Sequence, residues 1–423
     1  VLLLAGCIQQ EDAEDAAENQ KVREQESVQR GGVYRYPLRN NPSTLNPVYL
    51  QDTFGASIVR QLFEGLVQFG PYLTVLPALA QTWQVENGGR TYRFFLRSDA
   101  RFHNGHPVTA EDAIYSIQRL LRVNPAPIIM PQLLKIEGAP AYRNRQSDGI
   151  RGLKRINDHE FTVTLIEPHV PFLTALGMYQ AAIVPKSEIE NNEKKFGRSP
   201  VGSGPFRFVS WTTDDSIQLD RFPNYYAGDT YLDKILYRIY PGVQIDRALS
   251  DFQTGGLDEM PVYGNIRQAL LERQDYQWFH RPSLGLLIYG IRSDHPVLKN
   301  AALRKALSLA IDRDTINDIV WLGQATPRTI SVVRDSALFQ PDIEKIYGAF
   351  DPDTASGLLD EVGLPVGGDG MRTFPDGSEL ILSVETNSTG PGLDAIELVA
   401  ENWRAIGLNT TVESMSRDVY WPR

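Results

Sequence analysis

The sequence has a single cysteine, no long apolar run and no excess of positive charge. One cysteine among 423 residues can form neither an internal disulfide nor a multi-cysteine metal site. No internal apolar run reaches the roughly 18 residues that a membrane-crossing helix needs. With 52 acidic against 42 basic residues, the formal net charge is -10, and no basic segment is concentrated enough to bind nucleic-acid phosphates. The composition therefore excludes a disulfide scaffold and argues against a nucleic-acid partner.

The length and the remaining composition indicate a globular protein with more than one core. A chain of 423 residues exceeds what one hydrophobic core supports, so two or three lobes are expected. Hydrophobic residues make up 42% and charged residues 22%, which are ordinary values for a folded globular chain.

The cysteine lies in a lipoprotein-type motif near the start of the sequence. Cys7 follows Leu4-Ala5-Gly6 and the apolar run 1–4. This arrangement resembles the end of a bacterial lipoprotein signal peptide, in which small residues precede a cysteine that becomes lipid-modified. Because the chain begins with Val1, we expect the earlier part of that signal to be missing. The alternative is a buried cysteine that ends a core strand, and the polar residues after Cys7 oppose it.

Residues 8–30 form a polar segment between this motif and the folded part. They are rich in Glu, Asp and Gln and contain no aromatic residue. Such a segment cannot bury enough surface to offset its ordering entropy, so we predict a disordered tether. As a flexible coil it would span roughly 25–30 Å on average. Cys7 and the tether together predict a lipid-anchored protein of the cell envelope, on its periplasmic or extracellular face.

The folded part mixes strand and helix patterns. Period-two alternation of apolar residues predicts strands at 33–36, 91–97 and 161–165. The spacing of Thr109 and Asp112 predicts a capping box at the start of a helix. Further helices are predicted to begin after Asn300 and Asp351, and one is predicted to end at Gly407. The fold class predicted from these patterns is α/β.

Six sequence blocks occur in an order and spacing that are typical of one protein family. The blocks are RQLFEGL at 60–66, LPALA at 76–80, TYRFFLRSDARFHNGHPVTAEDA at 91–113, VGSGPF at 201–206, NYY at 224–226, and LRKAL through IDR at 303–313. Together they resemble the extracellular solute-binding proteins, family 5, of ABC transporters, a group of dipeptide-, oligopeptide- and nickel-binding proteins. The resemblance runs from about residue 31 to the last residue.

The resemblance implies a bilobed fold of the periplasmic-binding-protein type with an extra inserted subdomain. By analogy, lobe one comprises about 31–64 and 170–280, the inserted subdomain about 65–169, and lobe two 281–423. The resemblance further implies that the open form binds a solute, closes around it and docks on ABC permease subunits. No covalent bond of the solute is made or broken in this mechanism. Relatives that recognise peptides pair backbone groups with the peptide main chain. The implied partners are a peptide or another small solute, the permease, and the membrane through the lipid.

One departure from the family pattern limits which ligand-binding residues can be inferred from the resemblance. Family members continue for more than a hundred residues beyond the helix that contains Trp403, and that stretch includes a Gly-Trp and Asp-Tyr motif whose aspartate meets the peptide amino group. The present sequence stops at Arg423, before any such motif. We therefore expect the C-terminal part of lobe two, and the segment that returns to lobe one, to be missing.

Candidate catalytic and metal-binding groups are few. His103 and His106 have metal-ligand spacing, but the intervening Asn-Gly predicts a solvent-facing turn. Ser203 lies between two glycines, yet Val201 and Pro205 occupy the outer positions where a hydrolase nucleophile elbow needs glycine. No catalytic residue, metal site or cofactor is therefore predicted.

The resemblance places candidate ligand-binding residues in three segments. Asn40 and Asn41 follow the first strand, where family members present groups to the ligand. Ser203 and Gly204 lie in a glycine-rich turn that is expected to face the cleft, and Tyr289 lies where lobe two begins. The glycines of the turn have a structural alternative, because close approach of two backbones also requires glycine.

Three functions remain open from the sequence. The first is capture of di- or oligopeptides for an ABC importer. The second keeps the fold but changes the ligand to a nickel chelate, an oligosaccharide or an opine. The third is a lipoprotein enzyme or a ligand sensor on the same scaffold, and the missing catalytic constellation disfavours the enzyme.

Overall fold

The structure is a computed structural model, and it describes most of the chain from residue 30 to residue 415. The described ranges are 30–70, 74–242, 244–262, 264–273, 275–279, 287, 290–292, 295, 297–327, 349–387 and 390–415. Cys7, the predicted tether up to residue 29, and Tyr289 lie outside the described residues.

The described residues alternate strands and helices, which confirms the α/β class. The strands are β1 Val33–Leu38, β2 Val67–Phe69, β3 Val75–Pro77, β4 Ala80–Glu86, β5 Thr91–Leu96, β6 Leu153–Asn157, β7 Glu160–Thr164, β8 Phe206–Thr212, β9 Ser216–Arg221, β10 Lys234–Ile239, β11 Ile381–Thr386 and β12 Asn409–Ser414. The helices are α1 Thr53–Leu62, α2 Ala110–Arg122, α3 Met130–Leu133, α4 Ala139–Arg143, α5 Pro171–Ala175, α6 Lys186–Phe196, α7 Ile245–Gln253, α8 Gly264–Leu270, α9 Ala301–Leu309, α10 Arg313–Val320, α11 Pro352–Glu361 and α12 Pro391–Ala405.

The chain divides into two compact units, 1–261 and 262–423. The structure defines these two units and the strand pairing within each of them. The lobe boundaries given above stay predictions.

The first sheet of the first unit carries the strands on which the candidate site depends. Its order is β1-β10-β9-β8, with β1 parallel to β10 and the other pairs antiparallel. In β9 and β10 buried apolar residues alternate with more exposed polar ones, so one face of the sheet packs on the core. Helix α1 lies against this face and buries Ile58, Val59 and Leu62.

Strand β1 forms one edge of this sheet, and its outward-facing backbone groups are protected. The amide of Arg35 donates to the Asp258 carboxylate at 2.6 Å, and the Arg35 carbonyl accepts from the Asp258 amide at 3.0 Å. Two residues further along, Pro37 has no amide hydrogen to offer. These hydrogen bonds and the proline limit pairing of the exposed edge of β1 with a strand of another chain.

The second sheet of the first unit is antiparallel, with the order β4-β5-β7-β6. Phe94 and Phe161 lie opposite each other on β5 and β7, are fully buried, and stack with ring centroids 5.3 Å apart. Helix α2 begins at the predicted capping box, in which Thr109 accepts from the Asp112 amide and the Asp112 carboxylate accepts from the Thr109 amide. The strands predicted at 91–97 and 161–165, and this helix start, are confirmed.

The second unit contains α8 to α12 and the parallel pair β11-β12. The helix starts predicted after Asn300 and Asp351 are confirmed, and both residues cap their helices: Asn300 accepts from the Ala302 amide at 2.9 Å and Asp351 from the Thr354 amide at 2.9 Å. Gly407 follows α12 with a φ of +85°, a left-handed conformation that favours glycine.

A buried arginine ties the second unit together. The side chain of Arg372 is 1% exposed and lies among α11, the loop after it, and the end of α12. All five of its guanidinium hydrogens have an acceptor. The acceptors are the carbonyls of Ile406 at 3.0 Å, Leu364 at 2.7 Å and Ser356 at 3.1 Å, the Ser356 hydroxyl at 2.6 Å, and the Asp360 carboxylate at 2.6 Å.

In the parts of the chain that the structure describes, no helix has both the length and the apolar character needed to cross a bilayer.

Candidate functional site

The carboxyl ends of β1 and β10 define the candidate site. These two strands run parallel, so both end at the same edge of the sheet, after Leu38 and Ile239. The turn between β8 and β9 reaches this edge too, because the Ile239 amide donates to the Asp215 carbonyl at 2.8 Å. In open α/β sheets, ligands bind outside the carboxyl ends of parallel strands, where loops present polar groups without the constraint of sheet pairing.

Asn41 connects the loop after β1 to the β8–β9 turn. Its side-chain amide donates to the Asp214 carboxylate, and its carbonyl oxygen accepts from the Asp214 amide at 3.1 Å. Asp214 has a φ of +60°, a left-handed conformation that aspartate tolerates better than most residues. The two hydrogen bonds from Asn41 therefore hold the turn in a strained but defined shape. Asn40, which was predicted together with Asn41, is exposed beside it.

A stacked cation completes the site. Trp211 donates its indole hydrogen to the Asn41 carbonyl oxygen at 3.4 Å. The Arg198 guanidinium lies 3.6 Å from the centroid of the Trp211 ring and donates to the Thr213 hydroxyl at 3.1 Å. We call Asn40, Asn41, Arg198, Trp211, Thr213 and Asp214 the carboxyl-end cluster.

Ser203 and Gly204 lie at the other end of the same sheet. They precede Phe206, the first residue of β8, which pairs with Arg221 beside the amino ends of β1 and β10. The structure thus brings Asn40 and Asn41 together but does not bring them to Ser203 and Gly204. Ser203 is 1% exposed, and its hydroxyl has no hydrogen-bond partner among the described residues.

The glycines around Ser203 are required by close contact between backbones. A methyl group on Gly202 would overlap the Leu62 carbonyl oxygen and lie 2.8 Å from its carbonyl carbon. A methyl group on Gly204 would lie 2.5 Å from the Gln61 carbonyl oxygen. The turn therefore packs directly on the end of α1. This contact is the structural alternative for these glycines, in which close approach of two backbones requires them.

His103 is part of this packed turn rather than a solvent-facing residue. Its Nδ1 accepts from the Gly202 amide at 3.2 Å, which leaves the hydrogen on Nε2 to donate to the Gly204 carbonyl at 3.0 Å. Burial lowers the pKa of His103 to about 4, so the ring is neutral at pH 7. The expectation of a solvent-facing turn is wrong for His103, because both ring nitrogens are used by the backbone of 202–204. His106 is exposed as expected.

Two further sequence blocks meet at a buried carboxylate. Glu64, which follows α1, accepts hydrogen bonds from the hydroxyls of Tyr225 and Tyr226, the latter at 2.6 Å. The Arg97 guanidinium lies 4.5 Å from the centroid of the Tyr226 ring. Burial raises the pKa of Glu64, and the two hydroxyls and Arg97 oppose that shift. Since Tyr226 also packs on the core of the second sheet, this cluster joins the two sheets of the first unit.

The chemistry available at the carboxyl-end cluster is recognition by hydrogen bonds and charge. It contains the exposed side-chain amide of Asn40, the Asp214 carboxylate, which accepts from Asn41, and the Arg198 guanidinium, which donates to Thr213. Within the described ranges, no three His, Cys, Asp or Glu side chains are grouped closely enough to hold a metal ion. Arg198 could not be recognised from the sequence, because a lone arginine after a helix does not indicate a site until its aromatic neighbour is known.

Comparison with known proteins decides the family. A profile described as "Bacterial extracellular solute-binding proteins, family 5 Middle" matches residues 74–423. The chain belongs to family 5 of the bacterial extracellular solute-binding proteins. The resemblance inferred from the six sequence blocks is therefore confirmed.

Relatives of this family 5 protein align over most of its length. It is 26% identical over 433 residues to "Heme-binding protein A" of Haemophilus influenzae, covering 97% of this chain and 74% of that protein. It is 28% identical over 293 residues to "Dipeptide-binding protein DppE" of Bacillus subtilis, covering 68% of this chain and 53% of that protein. It is 27% identical over 397 residues to "Oligopeptide-binding protein OppA" of the same organism, covering 90% and 71%.

Solved structures confirm the periplasmic-binding-protein type of fold. The oligopeptide-binding protein AppA of Bacillus subtilis, solved with a nonapeptide, has a TM-score of 0.73 at 21% identity and is matched over 94% of this chain and 77% of that one. NikZ of Campylobacter jejuni, solved with Ni(L-His), has a TM-score of 0.73 at 20% identity, with 92% and 74% covered. At these identities the likeness concerns the fold and not the ligand.

Proposed function

We propose that the protein is the substrate-capturing component of an ABC importer and that it delivers di- or oligopeptides to a membrane permease. The match to the solute-binding family over residues 74–423 carries this proposal. Relatives named for dipeptide and oligopeptide binding support the choice of peptides among the solutes.

We propose that the protein binds its solute without turning it over. The carboxyl-end cluster presents hydrogen-bonding and charged groups but no nucleophile paired with a base. Ser203 is buried, and the nearby His103 uses both ring nitrogens on the backbone. Asn40 and Asn41 are proposed ligand contacts because they lie at the carboxyl end of the parallel pair. Ser203, Gly204 and Tyr289 stay ligand-contact predictions from the family resemblance.

The proposed location is the cell envelope, with a lipid on Cys7 and the polar segment 8–30 as a tether. The support is the Leu4-Ala5-Gly6-Cys7 motif and the composition of the segment after it. In cells that express the protein, Cys7→Ser is expected to move it from the membrane fraction to the soluble fraction. Persistence of the serine variant in the membrane fraction would contradict the lipid anchor.

Binding without turnover is tested by incubating the purified protein with a dipeptide and tripeptide library. Bound members are expected to raise the melting temperature by mass action, and every member is expected to remain intact by mass spectrometry. Solutes other than peptides are tested in the same assay. They are Ni(L-His), haem and deoxycholate, since relatives or solved neighbours are named for these ligands. Stabilisation by one of those solutes and by no peptide would replace the peptide assignment, and time-dependent cleavage would refute the non-enzymatic one.

A further inference from the structure

We propose that Arg198 is the anion-recognising residue of the ligand site and that it binds a carboxylate of the captured solute. This inference rests on the proposed function, and it adds the charge that the ligand must carry. The geometry of the carboxyl-end cluster supports it in three steps.

The first step is that the Arg198 guanidinium is held in place. Its Cζ lies over the Trp211 ring, 3.6 Å from the centroid, and a hydrogen bond of 3.1 Å to the Thr213 hydroxyl fixes its direction. An exposed arginine ordinarily loses considerable side-chain entropy when it binds an anion. The ring and the hydroxyl have already restricted Arg198, so less of that loss remains for the binding step.

The second step is that the Arg198 guanidinium is a cation that the described residues do not neutralise. Among the residues that the structure describes, Arg198 forms no ion pair, although many other arginines do, such as Arg93 with Glu160 and Arg119 with Glu193. Arg198 is an exposed residue. A fixed, unpaired guanidinium matches the two oxygens of a carboxylate in a bidentate arrangement.

The third step is its position. Trp211 connects Arg198 to Asn41 through the indole hydrogen bond, and Asn41 directly follows the carboxyl end of β1. Gly197, the residue before Arg198, bonds its carbonyl to the Leu45 amide at 2.8 Å, so the Arg198 segment lies against the loop that continues from Asn41. The cation therefore lies in the same cluster as Asn40, whose exposed side-chain amide can hydrogen-bond a peptide group.

The experiment measures affinity for library dipeptides and for the same dipeptides with an amidated C-terminus, by calorimetry on the full chain. We expect amidation to weaken binding roughly tenfold, the size of one lost charge-assisted pair. Arg198→Gln is expected to weaken binding of the free peptides by a similar factor and to leave binding of the amidated peptides unchanged. Non-additivity of these two changes is the specific sign of a direct pair.

Two further variants control the comparison. Arg198→Lys keeps the charge but loses the planar fork and the stacking, so an intermediate affinity is expected. Arg221→Gln removes another exposed arginine, which pairs with Asp233 at 3.6 Å near the opposite end of the sheet, and should leave affinity unchanged. Melting temperatures of all variants check that each has folded.

Equal binding of free and amidated peptides, or an Arg198→Gln variant that binds free peptides like the wild type, would overturn the role of Arg198 and leave the proposed function standing. Binding of no library member by the wild type would instead overturn the proposed function, and the role of Arg198 with it.

Discussion

Replacement of Arg372 by methionine is expected to destabilise the second unit severely. Methionine approximates the length of the arginine stem but offers no hydrogen bond donor. The change leaves the carbonyls of Ile406, Leu364 and Ser356 without the guanidinium that they now share. A buried acceptor left without its hydrogen bond costs about 1–3 kcal/mol, so losing the guanidinium from three carbonyls should cost at least about 3 kcal/mol. Asp360, at 65% exposure, remains solvated. The total stability of a domain is about 5–15 kcal/mol, so the loss is a large part of it.

The assay is urea unfolding of the full chain, with hydrogen exchange of the α11 and α12 amides to assign the loss to the second unit. Arg372→Lys is expected to lose nearly as much stability, because one ammonium cannot reach acceptors on three sides. Arg404→Met is the matched control in the same unit. Arg404 is 37% exposed and donates one hydrogen bond, to the Thr410 carbonyl, so its loss should cost about 1 kcal/mol. If Arg372→Met costs no more than Arg404→Met, the guanidinium does not hold this unit together.

Three further changes test other parts of the fold. Gly202→Ala should lower the free energy of unfolding by more than about 3 kcal/mol, because the added carbon overlaps the end of α1. Gly149→Ala is the control and should lower it by under about 1 kcal/mol, because nothing lies within 4 Å of the added carbon. Equal melting temperatures of the two variants would contradict the close approach at Gly202. Glu64 has a folded pKa raised above its unfolded value, so its contribution is present at low pH and is lost as pH rises through the folded pKa. The stability difference between wild type and Glu64→Gln should therefore shift towards the wild type as pH falls from 7 towards 4.5, and a shift in the other direction would refute the assignment. Thr109→Ala should cost about 1 kcal/mol in thermal unfolding through loss of the capping box, and a neutral result would show that the cap contributes nothing.

The sequence predicted those parts of the fold that depend on neighbours along the chain. Alternation at Tyr92, Phe94 and Leu96 identified β5 because each residue's face is set by the two-residue period. The helix starts after Asn300 and Asp351 were identified because a helix start depends on nearby residues, and in the structure each of these side chains bonds an amide only two or three residues away. The overall fold was predicted from the resemblance of the six sequence blocks to a known family, because no local pattern specifies it.

The sequence could not predict which distant residues meet. The bond from Glu64 to Tyr225 joins residues that are 161 positions apart, and its existence depends on how two sheets are packed. The separation of Asn41 from Ser203 has the same cause, since the direction of β8 relative to β1 follows from pairing through β9 and β10. Arg372 was missed because a single arginine in a polar segment gives no sign that it will be buried.

The parallel pairing of β1 with β10 has a consequence for how the protein is made. Val33 finds its partner Lys234 only after the whole second sheet has been synthesised, because β4 to β7 lie between them in the sequence. Closing so long a loop is slow, whereas the antiparallel strands of the second sheet are near neighbours along the chain. The second sheet should therefore become protected first in pulse-labelled hydrogen exchange during refolding. Until β10 arrives, β1 has no strand to pair with, and the nascent chain is most vulnerable to aggregation in that interval.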